Sequence, residues 1–107
     1  MLLATSGRLD GFKVTKYLGI VTGEAIMGTN FIRDLLASIS DIIGGRSGAY
    51  EQQLEEARNI VLNEMSERAK RLGANAVIGI SLDYESVGQS MLMVVATGTA
   101  VYIEPEM

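Results

Sequence analysis

Neither cysteine nor histidine occurs among the 107 residues. The first absence removes a disulfide framework, a thiolate metal site and a cysteine nucleophile. The second removes the commonest metal ligand and the usual general base near neutral pH. A zinc-type site would rest on carboxylates alone, whereas zinc sites usually include sulfur or nitrogen. An excess of cations is also missing: 9 Lys and Arg stand against 13 Asp and Glu, a formal charge of −4. That balance gives little to neutralise phosphates, so nucleic acid is not an expected partner. No run of about 18 continuous apolar residues occurs. The charge-free stretch from Val87 to Ile103 is broken by Gly88, Gln89, Ser90, Thr97, Gly98 and Thr99. The opening residues lack a basic segment followed by an apolar one, so no secretory signal is expected. The expectation is a soluble, cytoplasmic protein with no membrane partner.

What is present is apolar and largely aliphatic: 48% of residues are hydrophobic and only 6% aromatic. A single domain over residues 1–107 fits this length, because no repeat, low-complexity tract or linker interrupts it. Area scaling for such a mass leaves about 65% of the unfolded surface buried, enough for a modest core without metal or disulfide. The apolar share exceeds what one small core holds, and contiguous apolar surface on a soluble protein marks an interface. Self-association is therefore expected.

The first third reads as strand. Met1 to Thr5 is short and apolar, and Gly7 with Asp10-Gly11 signals a turn. Phe12 to Met27 is rich in β-branched and aromatic residues and is interrupted by Gly19 and Gly23. Glycines in such a pattern mark bulges or close backbone approach, so one long bent strand or two consecutive pieces are expected. Phe31, Ile32, Leu35, Leu36, Ile39, Ile42 and Ile43 then fall on one helical face, stopped by Gly44-Gly45.

A second helix is marked by Tyr50, Leu54, Ala57, Val61, Met65, Ala69 and Leu72, with Ser47 as its N-cap and Gly73 beyond its end. Glu51, Glu55 and Glu56 near its start and Arg68, Lys70 and Arg71 near its end complement the helix dipole. Glu64–Arg68 and Glu67–Arg71 are spaced as i,i+4 pairs. The last third returns to strand. Over Ala76 to Glu85, simple alternation puts Ile78, Ile80, Leu82 and Tyr84 on one face. Met91 to Ile103 is apolar or small on both alternating faces, the pattern of a strand covered on both sides. Helices can cover one face, and another subunit is the expected cover for part of the other. The order β-β-α-α-β-β gives an α+β fold, expected as a mainly antiparallel sheet packed by two helices.

Three segments carry possible chemistry. Asp41 to Glu51, D-I-I-G-G-R-S-G-A-Y-E, is a glycine-rich turn entering a helix. Its backbone N–H groups, with Arg46 and Ser47, suit a small anion. As a plain helix–helix connection, the same residues supply turn glycines and an N-cap. It lacks the G-K-[ST] ending of a Walker A loop. Glu24, Asp83 and Glu85 offer oxygen ligands to a hard cation, although carboxylates beyond a strand are usually just solvated. Met91 and Met93 are a thioether pair that suits a soft metal, or equally core filler. No nucleophile–base pair stands out, so neither catalytic residues nor a cofactor are expected.

Four ordered blocks carry a family likeness: L-G-I-V-T-G-E (18–24), D-I-I-G-G-R-S-G-A-Y-E (41–51), L-G-A-N-A-V-I-G-I (72–80) and S-M-L-M-V (90–94). They resemble the YbjQ family, small bacterial and archaeal proteins of uncharacterised function with a label of heavy-metal binding. The resemblance implies a compact α+β subunit assembling into a closed homo-oligomeric ring, a homopentamer. The family's recurrent positions fall here on Glu24, Asp41, Gly44, Gly45, Arg46, Ser47, Tyr50 and Glu51, the expected ligand-binding set. The expected function is a non-catalytic ring-forming or small-anion-binding protein. The alternative is metal binding through Glu24, Asp83, Glu85, Met91 and Met93, with a carboxylate-using hydrolase or isomerase as the least supported class.

Overall fold

The computed structural model of the chain describes residues 1–28, 48–88 and 91–107, without the side chains of 48–53 and 87. Their elements are β1 (Leu2–Leu3), β2 (Phe12–Met27), α1 (Gly48–Arg71), β3 (Ala76–Val87) and β4 (Met91–Pro105). The strands form one sheet in the order β1-β3-β4-β2, and α1 packs on one of its faces. The helix expected over Phe31 to Ile43 lies outside the described residues.

The fold is α+β, but the sheet is mixed rather than mainly antiparallel. β4 runs antiparallel to both β2 and β3, whereas β1 joins β3 in parallel, with Leu2 beside Ala76 and Leu3 beside Val77. Leu2 N donates to Asn75 O at 3.2 Å and Ala4 N to Val77 O at 2.9 Å. Alternation and run length give no strand direction, so the sequence pattern did not distinguish the two arrangements.

The helix face of the core comes from a strict four-residue stripe. Ala57, Val61, Met65 and Ala69 are fully buried against Val21, Val77, Ile80, Val94, Ala96 and Ala100. Burying a side chain such as Met65 contributes about 2 kcal/mol. Leu72, expected on this face, is exposed, because the helix ends at Arg71 and Gly73 turns the chain with φ 88°. A second, smaller cluster of Ala76, Ile78, Val101 and Ile103 sits on the opposite sheet face beneath Leu9 and Val14.

The glycines of β2 take both expected roles. Gly19 follows a register shift against β4, and Gly23 lies directly under α1. β3 departs from simple alternation. Its register shifts between Ile78 and Ser81 around Gly79, whose φ is 62°, in the left-handed region that suits glycine. The shift sends Ala76 and Ile78 to one cluster but Val77 and Ile80 to the other. Ile78 and Ile80 therefore do not share a face.

Candidate functional site

Among the described residues, the sheet face opposite α1 is covered at one end only. There the segment around Leu9 closes over Ile78, Val101 and Ile103. Towards the other end, register places three rows side by side across β3, β4 and β2. These are Ser81–Thr97–Thr22, Asp83–Val95–Glu24 and Glu85–Met93–Ile26. Ile20, paired with Thr99, flanks them. Ile20 is 78% exposed and Ile26 62% exposed, so two large aliphatic side chains of the edge strand face outward.

Glu24, the one residue of the expected ligand-binding set whose side chain is described, stands in the middle row on the edge strand β2 of this face and is tied to the helix. Thr22 Oγ1 donates to Glu24 Oε1 at 2.6 Å, and Arg68 Nη1 donates to Glu24 Oε2 at 2.9 Å. Arg68 Nη1 also reaches Thr22 O at 2.8 Å and Thr22 Oγ1 at 3.1 Å, while Nη2 meets Glu64 Oε1 at 2.6 Å. The guanidinium thus reaches from α1 to the edge of β2 that is unpaired among the described residues and hydrogen-bonds the Thr22 carbonyl there. A long edge strand with open hydrogen-bonding groups is a template for unwanted pairing, and a charged plug blunts it. The Thr22 hydroxyl first, then Arg68, holds the Glu24 carboxyl below its ordinary pKa.

This arrangement limits the chemistry. A carboxylate with a lowered pKa and both oxygens engaged is a poor general base. Asp83 and Glu24 share a face but stand on either side of Val95, about two strand spacings or 10 Å apart at Cα. Met93 lies between Glu85 and Ile26. Among the described residues no group of three or more acidic side chains converges to hold a metal ion. The residues named for metal binding therefore share one sheet face, while β4 separates Glu24 from Asp83 and Glu85 across it.

Asp41, Gly44, Gly45, Arg46 and Ser47 lie outside the described residues, and Tyr50 and Glu51 are described only as backbone in the first turn of α1. The expected Glu64–Arg68 pair forms; Glu67 meets Lys70 at 3.5 Å rather than Arg71. Sequence reasoning missed the contact of Arg68 with Thr22 and Glu24. Its only sequence signal is the i,i+4 spacing to Glu64, which says nothing about a strand partner.

No helix among the described residues is long and apolar enough to cross a membrane. The fold has a counterpart in the crystal structure of a protein with unknown function from Pediococcus pentosaceus ATCC 25745, of the DUF74 family. The two share 18% identity over 97% of this chain and 98% of that one, with a TM-score of 0.61. At that identity the likeness concerns the fold alone. The YbjQ_1 family model, whose description reads "Putative heavy-metal-binding", matches residues 1–104. With nearly its whole length matched in this way, the chain belongs to the YbjQ family.

Proposed function

We propose that this chain is a non-catalytic, self-assembling subunit whose open sheet face is covered by further copies of itself in a closed ring. The observation that carries the reading is the outward row of Ile20 and Ile26 beside Val95 and Met93, on the face that α1 leaves bare. Exposed apolar area of this kind is stabilised by a partner surface. Between identical subunits, a contact joining two different patches closes into a ring when the rotation per step divides a full turn. Five subunits is the count implied by the family likeness. The glycine-rich turn from Gly44 to Ser47 belongs to the same proposal, as a small-anion site at the junction of neighbours.

Metal binding is the alternative that the family description carries. The geometry favours it less, because a metal ion at Glu24 would displace Thr22 and Arg68 from its two oxygens. Light scattering coupled to gel filtration tests the main reading. The expected particle has about five times the 11.5 kDa of the chain at micromolar concentration. A clean 11.5 kDa species at that concentration overturns it.

A further inference from the structure

Away from the open rows, the segment between β1 and β2 crosses the covered end of the sheet and leaves a cavity of about 270 Å³ beside it. Arg8, Lys13 and Glu106 supply its charges, Phe12 and Tyr17 its aromatic groups, and Leu9 and Ile103 belong to its apolar lining. The frame is hydrogen-bonded. Ser6 Oγ donates to Arg8 O at 2.9 Å, Phe12 N to Leu9 O at 3.3 Å, and Glu106 N to Gly11 O at 2.9 Å. The apolar lining is anchored in the small cluster, where Leu9 packs on Ile103 and its neighbours. Neither Arg8 nor Lys13 forms an ion pair among the described residues, unlike Arg68 and Lys70. In a chain of net charge −4, two cations beside one cavity run against the overall charge.

We propose that this cavity binds a small aromatic monocarboxylate. The guanidinium of Arg8 presents a planar fork that matches a carboxylate in two parallel hydrogen bonds. Lys13 adds a point charge. Glu106 at the cavity and Glu104, directly across from Lys13 in register, offset part of this positive charge, which suits a monoanion better than a dianion. Phe12 and Tyr17 offer ring surfaces that an aromatic body packs against. The volume is close to the lower end of the range for small-molecule sites, about 300 Å³, and so suits one ring with its acid group.

The proposal is independent of ring assembly, and the two are read separately by measuring particle mass on the same full-length sample. The probe is benzoate, followed by saturation-transfer NMR and calorimetric titration, with acetate, phenol and phenyl phosphate as comparisons. Benzoate is expected to bind at least about tenfold more tightly than acetate or phenol, because each lacks one half of the recognised chemistry. Phenyl phosphate is expected to bind more weakly, since Glu106 opposes its second charge. Arg8→Gln weakens benzoate at least about tenfold, and Glu106→Gln tightens it severalfold. Both side chains are exposed, so the variants are expected to keep the melting temperature of the parent. Absence of saturable benzoate binding up to about 10 mM overturns the proposal, as does binding that survives the combined Arg8→Gln and Lys13→Gln change. Tighter binding of phenyl phosphate overturns the monocarboxylate assignment.

Discussion

Gly23 lies directly beneath Val61, so close that a Cβ there would overlap the Val61 carbonyl oxygen. The same Cβ would stand 2.9 Å from the Val61 carbonyl carbon and 3.2 Å from Met65 N. All three obstacles are helix backbone, which cannot rotate aside as a side chain can. Gly23→Ala therefore lifts α1 from β2 along the stripe of Val61 and Met65. The expected loss is about 3 kcal/mol or more, at or beyond the upper end for overpacking. Urea denaturation measures it, with Gly7→Ala as the control. A Cβ at Gly7 meets nothing within 4 Å, and its substitution is expected to change stability by less than about 0.5 kcal/mol.

Asn75 extends the sheet with its side chain. Its Nδ2 donates to Ile103 O at 2.9 Å, and Ile103 N donates to its Oδ1 at 2.7 Å, just before the β3–β4 ladder begins. Asn75→Ala leaves both backbone groups of a buried residue without these partners and is expected to cost about 2 kcal/mol. Asn75→Asp keeps the acceptor for Ile103 N but sets a carboxylate against Ile103 O. It is expected to be no better than alanine at neutral pH and to recover towards the parent in acid. Thermal melts of the three proteins between pH 4 and 7 check this order.

These two positions show what a one-dimensional reading captures. The pattern of Phe12 to Met27 announced a long strand with glycine interruptions, and the structure divides their roles between a bulge at Gly19 and a close approach at Gly23. Of the helical stripe from Tyr50 to Leu72, Ala57, Val61, Met65 and Ala69 are buried as expected and Leu72 is exposed. On β3, Ile80, Leu82 and Tyr84 share the helix-side face as alternation put them, but Ile78 was misassigned because Gly79 breaks the period of two, and a register shift of that kind is invisible to strict alternation. The parallel entry of β1 was missed because pairing direction depends on distant residues. Of the expected ligand-binding set, Glu24 alone has a described side chain, and its partner Arg68 is 44 residues away. Such a contact is set by how α1 docks, which local spacing does not encode.

The Glu24 carboxyl titrates below its ordinary range because Thr22 and Arg68 stabilise the charged form. A lowered folded-state pKa means that the contribution is present above the unfolded value of about 4.3 and is lost as pH falls through the folded value. Both partners are well exposed, with side-chain exposures of 40% for Arg68 and 44% for Glu24, so the effect is small. Glu24→Gln is expected to lower stability at pH 7 by less than about 1 kcal/mol. The gap between parent and variant should close on acidification below the unfolded value and narrow in high salt. A gap that stays constant down to pH 3 would show that charge at Glu24 plays no part in holding α1 to the strand edge.

The open face makes the sharpest separation between assembly and folding. Ile20 and Ile26 are among the most exposed large hydrophobic residues and lie outside both core clusters. Replacing both with lysine therefore removes little that a single subunit needs, and its melting free energy is expected to change by less than about 1 kcal/mol once assembly is absent. Between subunits the same change buries two ammonium groups against an apolar surface, where unpaired charge costs several kcal/mol. The Ile20→Lys, Ile26→Lys variant is expected to elute as a folded 11.5 kDa monomer with parental far-UV circular dichroism. A core change serves as the contrast: Val61→Ala, at a fully buried position, should lower stability by about 2 kcal/mol through the cavity it leaves, without placing a charge at the interface. If the lysine variant retained the parental particle mass, the contact between copies would have to lie elsewhere, with the edge of β2 beyond the Arg68 plug as the next surface to alter.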